Sequence, residues 1–168
     1  MAAIMKRRYF VTLALLTITA AGCNSTSANL STSSTPLSTN NFTGNDSTVE
    51  VYRSASCGCC GLWVEHMQQA GFTVTETITE ELNAVKAKHG VPNQLASCHT
   101  AIVDGYVVEG HIPSEDVQRL LAEKPAVTGI AVPGMPIGSP GMEVGNEREP
   151  YAVLSFKGET IETFATHP

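Results

Sequence analysis

Three cysteines in four residues, Cys57-Gly58-Cys59-Cys60, stand where the pattern of the chain switches from strand to helix, and any fold must accommodate them at that junction. Before them, Val49, Val51 and Tyr52 give the alternation of a short strand, and Ser54-Ala55-Ser56 supplies a turn. After them, Leu62, Trp63, Val64, Met67 and Ala70 recur at helical spacing until Gly71, a residue suited to the position just past a helix end, stops the run. The trio therefore opens a helix, where exposed amides and the macrodipole favour negative charge and populate thiolates.

The remaining pattern predicts a second strand from Phe72 to about Ile78, and a second helix over Glu80 to Lys88 carrying Leu82 and Val85 and ended by Gly90. A loop from Pro92 leads to Ser97-Cys98-His99. Ala101-Ile102-Val103 and Tyr106-Val107-Val108 form a hairpin around Asp104-Gly105, a strong two-residue turn signal. Pro113-Ser114-Glu115-Asp116 opens a third helix, with Ser114 as N-cap and Val117, Leu120 and Leu121 as its apolar stripe. Pro125 to Met142 reads as one long Pro- and Gly-rich loop whose apolar residues pack against something. Tyr151 to Phe156 and Thr160 to Phe164, joined through Lys157-Gly158-Glu159, make a closing hairpin.

The order strand, helix, strand, helix, strand, strand, helix, with cysteines at the first strand-to-helix junction, resembles the thioredoxin fold. The expectation is thus an α/β domain over residues 49–166, thioredoxin-like, with a Pro/Gly-rich loop and a C-terminal β-hairpin as extensions. That resemblance implies that the loop entering the third strand lies against the N-terminus of the first helix. Cys98-His99-Thr100 occupies this loop, in the place where a cis-proline is usual, so Cys98 is expected to face Cys57, Cys59 and Cys60.

The first 48 residues are read apart from this domain. Lys6, Arg7 and Arg8 precede an uncharged apolar and Thr stretch from Tyr9 to Ala21, too short for a permanent span and suited to the core of a signal peptide over residues 1–22. Ala20-Ala21-Gly22-Cys23 resembles the lipobox of bacterial lipoproteins, which implies lipidation of Cys23; Asn24 after it favours outer-membrane retention. Residues 23–48, rich in Ser, Thr and Asn and without apolar periodicity, are expected to be a disordered tether. The chain is therefore expected on the periplasmic side of a bacterial envelope, in an oxidising compartment, touching the membrane only through its anchor. The net charge is −6, and loss of the three basic residues of the leader takes it to −9. A nucleic-acid partner is not expected, because binding phosphate needs a surplus of Lys and Arg.

Four convergent thiols admit several chemistries. Cys57 and Cys60 have the Cys-x-x-Cys spacing of a redox-active disulfide, so a thiol–disulfide oxidoreductase acting on partner proteins is one reading, and a zinc or structural disulfide module is a weaker one. The oxidoreductase has no use for Cys59. Adjacent Cys59 and Cys60 side chains diverge, which suits a single tetrahedral zinc poorly. Bridging thiolates suit soft Cu(I), in one ion or several, so a metal-binding protein rather than an enzyme is the favoured reading. A redox role on copper itself, cycling Cu(I) and Cu(II), lies between the two. His99, beside Cys98, is a candidate ligand, as are the thioethers of Met135 and Met142 in the long loop. His66 and Met67 lie seven residues, about 10 Å of rise, beyond Cys59 and Cys60. His66 is therefore expected in a supporting or surface role, and Met67 and Trp63 in the core. His89, His111 and His167 are expected at the surface.

Taken together, Cys57-Gly58-Cys59-Cys60, Trp63, His66-Met67, Gly71-Phe72, Ser97-Cys98-His99-Thr100-Ala101, Gly110-His111-Ile112-Pro113 and Val132-Pro133-Gly134-Met135-Pro136 resemble a small exported family, the CopG-type proteins associated with bacterial copper resistance. Its members have been described as proteins of unknown function or predicted metal-binding proteins. The resemblance covers about Val49 to Thr166 and implies a thioredoxin-like fold binding copper through Cys57, Cys59, Cys60 and Cys98, with a multinuclear thiolate cluster among the forms it allows. Copper ions and periplasmic copper-handling proteins are the partners it implies.

Overall fold

The computed structural model describes residues 47–168. The signal peptide, Cys23 and nearly all of the tether lie outside the described residues; Thr48, assigned above to the tether, already belongs to the first strand. Seven strands and three helices follow in the order β1 (Thr48–Arg53), α1 (Gly58–Gln69), β2 (Thr73–Ile78), α2 (Leu82–Lys88), β3 (Thr100–Val103), β4 (Tyr106–Glu109), α3 (Ser114–Glu123), β5 (Gly129–Ala131), β6 (Tyr151–Lys157) and β7 (Thr160–His167). One mixed sheet holds all the strands, in the spatial order β2-β1-β3-β4-β5-β6-β7. β1 runs parallel to β2 and antiparallel to β3, and β4 runs parallel to β5. Among the described residues no helix is long and apolar enough to cross a membrane.

The period-2 alternation of the strands sends side chains to both faces of this sheet, and each face has its own cover. Val49, Val51, Ala101, Val103, Val108 and Ile130 join Trp63, Val64 and Met67 of α1 and Val117, Leu120 and Leu121 of α3 in the main core. Their neighbours Val107 and Ala131 point the other way, into a smaller cluster with Val91, Leu95 and Phe156. Trp63 is fully buried, and its indole N–H donates to the Ile112 carbonyl at 2.8 Å. That bond fastens the first helix to the segment between β4 and α3. At the β3–β4 turn both Asp104 and Gly105 have positive φ, at 52° and 84°, the geometry of the primed hairpin turn that an Asp-Gly pair announces.

Two expectations need correction. The segment from Pro125 to Met142 is not one loop: β5 lies within it, pairing with β4 and β6. Three residues, all buried, are too few to display a period. Helix α3 does not use Ser114 as its N-cap. Pro113, in an extended conformation, holds that place, and Ser114 is the first helical residue. Its amide donates at 3.0 Å to His66 Nε2, so a side chain from α1 does the capping. His66, expected in a supporting or surface role, thus caps α3.

Replacing Trp63 by Phe keeps most of the buried ring and removes the donor to Ile112. The expected cost is about 1–3 kcal/mol, that of leaving a buried acceptor without its partner. Urea denaturation at equal m-value checks it.

Candidate metal centre

The end of β1 and the start of α1 fix the first three sulfurs. Cys57 is the residue before the helix, with an extended backbone and no side-chain capping bond, and the first turn contains no acidic residue to compete for the exposed amides. Cys59 and Cys60 follow within that turn. Cys60 is fully buried, whereas Cys57, Cys59 and Cys98 are half-buried. Cys57 and Cys60 are joined by a disulfide, their Cα atoms 5.4 Å apart, and Cys59 and Cys98 are free thiols. Cys59 Sγ lies 3.6 Å from Cys57 Sγ, and Cys60 Sγ lies 3.8 Å from the Cys98 carbonyl oxygen. All four sulfurs are within 4.8 Å of one another. Sulfurs sharing one tetrahedral ion at about 2.3 Å would sit about 3.7 Å apart, within the range the four sulfurs span here.

Two imidazoles complete this corner of the molecule. His99 is completely buried, with Nδ1 3.4 Å from Cys98 Sγ and its ring 4.5 Å from that of Trp63. Its Nε2 is buried without a hydrogen-bond partner. His111, expected at the surface, is instead fully buried. Its Nδ1 lies 2.8 Å from the Pro140 carbonyl oxygen, which can only accept, so Nδ1 carries the proton. The Nε2 lone pair then faces Cys98 Sγ at 3.0 Å. Cys98, His99 and His111 form a second set whose ligand atoms lie within 4.8 Å of one another. Cys98 belongs to both.

The long loop closes over the site by backbone contact. Gly141 sits at φ +83°, and a Cβ there would lie 2.7 Å from the Cys59 carbonyl oxygen and 2.9 Å from the Trp63 nitrogen. Only glycine lets the loop approach α1 so closely. Met142 follows directly and is half-buried; Met135 lies farther out on the same loop and is 52% exposed. Ser97, beside Cys98, donates from its hydroxyl to the Gly134 carbonyl at 2.6 Å, which ties the Cys98 arm to the Met135 stretch. Met67 is in the core as expected. His89 is half-buried near Tyr52. His167, also partly buried, pairs with Asp116 at 2.7 Å and stacks on Tyr151, away from the sulfurs.

Burial dominates the electrostatics. It pushes the Cys98 thiol up to about 12, with the neighbouring Cys59 adding to the rise. Burial lowers His99 well below the ordinary histidine value, and the neighbouring His111 and Lys86 push in the same direction. Burial lowers His111 as well, against the opposing pull of its bond to Pro140. At neutral pH the site without metal therefore holds a protonated thiol facing neutral imidazoles.

These features describe an α/β protein in which four cysteine sulfurs, two of them joined as a disulfide, and two neutral imidazoles converge at the end of one strand, a donor set that once reduced suits a soft or borderline metal. Comparison with known proteins gives the family. Two solved structures described as "Copper resistance protein copG", Form 2 and Form 1, are each 41% identical to the chain, with TM-scores of 0.69 and 0.68. The matches cover 73% and 72% of this chain and 98% and 97% of theirs. A family model described as "Protein of unknown function, DUF411" matches residues 95–142, the stretch carrying Cys98, His99, His111, Met135 and Met142. No curated protein sequence matches the chain. The chain belongs to the family of CopG copper resistance proteins.

The buried imidazoles make stability sensitive to acid. Below about 6.5 the unfolded chain binds protons at His99 and His111 that the folded chain refuses, so stability is full above that pH and falls below it. Replacing His99 by Phe, which keeps a ring against Trp63, removes one such group. The wild type should lose more stability than this variant between pH 7.5 and pH 5, as read by paired thermal melts.

Proposed function

We propose that this protein binds copper as Cu(I) through the thiolates of Cys57, Cys59, Cys60 and Cys98, after reduction of the Cys57–Cys60 disulfide, and thereby sequesters or handles the metal in copper resistance. The observation that carries this is the arrival of Cys98 within 4.8 Å of the three α1 sulfurs. A dithiol exchange enzyme needs two sulfurs, and a structural disulfide also needs two. The two structural relatives bear the name of copper resistance proteins, and Cu(I) is the biological copper ion that thiolates select. Multinuclear binding through bridging thiolates is part of the proposal, because four sulfurs at this spacing can be shared between ions. His99 and His111 supply nitrogen donors beside Cys98, and Met135 and Met142 supply neutral thioethers from the loop.

The scaffold we infer is thioredoxin-like. β1-α1-β2 with parallel strands, β3 antiparallel to β1, β4 antiparallel to β3 and then α3 support this, and β5 to β7 are the extension. We further propose that the chain is exported, with Cys23 lipidated and the domain on the periplasmic side of the outer membrane. The basic and apolar leader before Cys23 supports that placement. There it would exchange copper with other periplasmic copper-handling proteins.

The Cys57–Cys60 disulfide favours a second reading, a thiol–disulfide oxidoreductase using those two residues. Anaerobic Cu(I) titration of the reduced protein separates the two. Copper binding should exceed one equivalent per chain, release protons because Cys98 starts as a thiol, and tighten as pH rises. Cys98→Ser should weaken it by more than the roughly 10–100-fold caused by loss of a residue that merely supports a ligand. Insulin reduction at full rate by a variant retaining only Cys57 and Cys60, with no copper uptake by the wild type, would overturn the copper reading.

A further inference from the structure

Of a charged pair buried beneath the Cys98 arm, only the effect of Lys86 on His99 has entered the chemistry so far. Glu109, the last residue of β4, is fully buried, and Lys86 from α2 is nearly so. Lys86 Nζ donates to Glu109 Oε1 at 2.5 Å and to Thr100 Oγ1 at 3.0 Å, and Thr100 Oγ1 donates to Glu109 Oε2 at 2.7 Å. The fourth bond differs from these. The Ser97 amide donates to Glu109 Oε1 at 2.6 Å. Register explains the meeting: Thr100 and Glu109 face each other across β3 and β4, on the same side as Val107, and that side is covered by the chain around α2.

A buried ion pair is seldom worth more than well-packed apolar residues of the same volume, so its usefulness lies in what it holds in place. Here it holds two arms at once. Through the Ser97 amide it fixes the residue before Cys98, and along its own chain it precedes Gly110 and His111. Gly110 donates its amide to the His99 carbonyl at 3.1 Å. A Cβ at Gly110 would lie 2.5 Å from Ser97 Oγ, so the two arms touch. We propose that Glu109 is a positioning residue for the metal centre: its carboxylate, oriented by Lys86 and Thr100, grips the Ser97 amide and so sets the Cys98 thiol against the α1 cysteines. For its copper readout this rests on the function proposed above; the placement of Cys98 can be measured without metal.

The test compares two double variants in the reduced protein. Lys86→Met with Glu109→Leu removes the charges and the acceptor together. Lys86→Met with Glu109→Gln removes the charges and keeps an acceptor for Ser97. Iodoacetamide labelling of the metal-free protein, read at Cys98 by mass spectrometry, should quicken by about tenfold or more in the Leu variant as the arm leaves its buried setting, and stay within about twofold of wild type in the Gln variant. Cu(I) affinity by chelator competition should follow the same split. Equal labelling of Cys98 in the Leu variant and the wild type overturns the proposal, as does a Gln variant that labels as fast as the Leu variant. Should the Leu variant not fold, amide exchange of the wild type decides: Ser97 should be protected to the level of Ala101 and Val108, and exchange at the rate of an unbonded loop amide overturns the proposal. A wild type that takes up no copper while the labelling split holds defeats the copper reading and leaves the positioning role standing.

Discussion

Backbone hydrogen bonds between β1 and β3 set Thr100 opposite Tyr52, and with that register two distant stretches of chain must meet. Two residues upstream of Thr100 is Cys98; five residues downstream of Tyr52 is Cys57. The strands run antiparallel, so the chain entering β3 lies beside the chain leaving β1. β2 and β3 flank β1 on opposite sides, and the sulfurs gather at its C-terminal end, where open α/β sheets commonly place their sites. Closing a loop across the separation of 38 positions from Cys60 to Cys98 costs on the order of 3 kcal/mol in chain entropy. The pairing of β1 with β3 meets that cost, so the fold itself gathers the sulfurs. This distinguishes the site from small metal domains in which ligand capture and folding are one event.

The layers around this point serve the same end. α1 brings three sulfurs to one turn, Trp63 locks the helix to Ile112, and Gly141 lets the long loop reach the backbone of the first turn. The loop in turn accepts the Nδ1 proton of His111 at Pro140 and so aims Nε2 at Cys98. Each donor is thus held by an element other than its own.

Where the pattern was local, the sequence was readable. Asp104-Gly105 announced its turn, Gly71 closed α1, and the alternating runs of β6 and β7 announced their hairpin, because turn chemistry and period act over a few residues. Cys98 was placed beside the trio through resemblance to a known fold, since nothing near Cys98 in the chain encodes the β1–β3 register. His111 was misread because its burial comes from segments distant in sequence, the Cys98 arm and the stretch at Pro140; a histidine following a strand carries no local sign of either. Glu109 and Lys86 were not singled out in the sequence. Glu109 did carry a signal, for it continues Tyr106-Val107-Val108 on the side of Val107, where a strand covered on both faces leaves no water to face. β5 was lost because three residues show no period, and the cap of α3 because a histidine from another helix took the place a local hydroxyl usually fills.

Charge balance links the burial of the site to its use. Four thiolates packed within 4.8 Å would be a concentration of negative charge that a half-buried setting cannot tolerate without cations. The fold answers this by keeping the charges unborn. Two sulfurs are tied up as a disulfide, Cys98 is held as a thiol by burial and by its neighbour Cys59, and both imidazoles facing it are neutral. A soft cation held by the reduced sulfurs would take the place of their protons, so its positive charge would be matched by thiolate charge. The same accounting ties metal occupancy to the redox state of Cys57 and Cys60. With the disulfide formed, only Cys59 and Cys98 can supply thiolate, so under the copper reading proposed above the oxidised site would balance less positive charge than the reduced one.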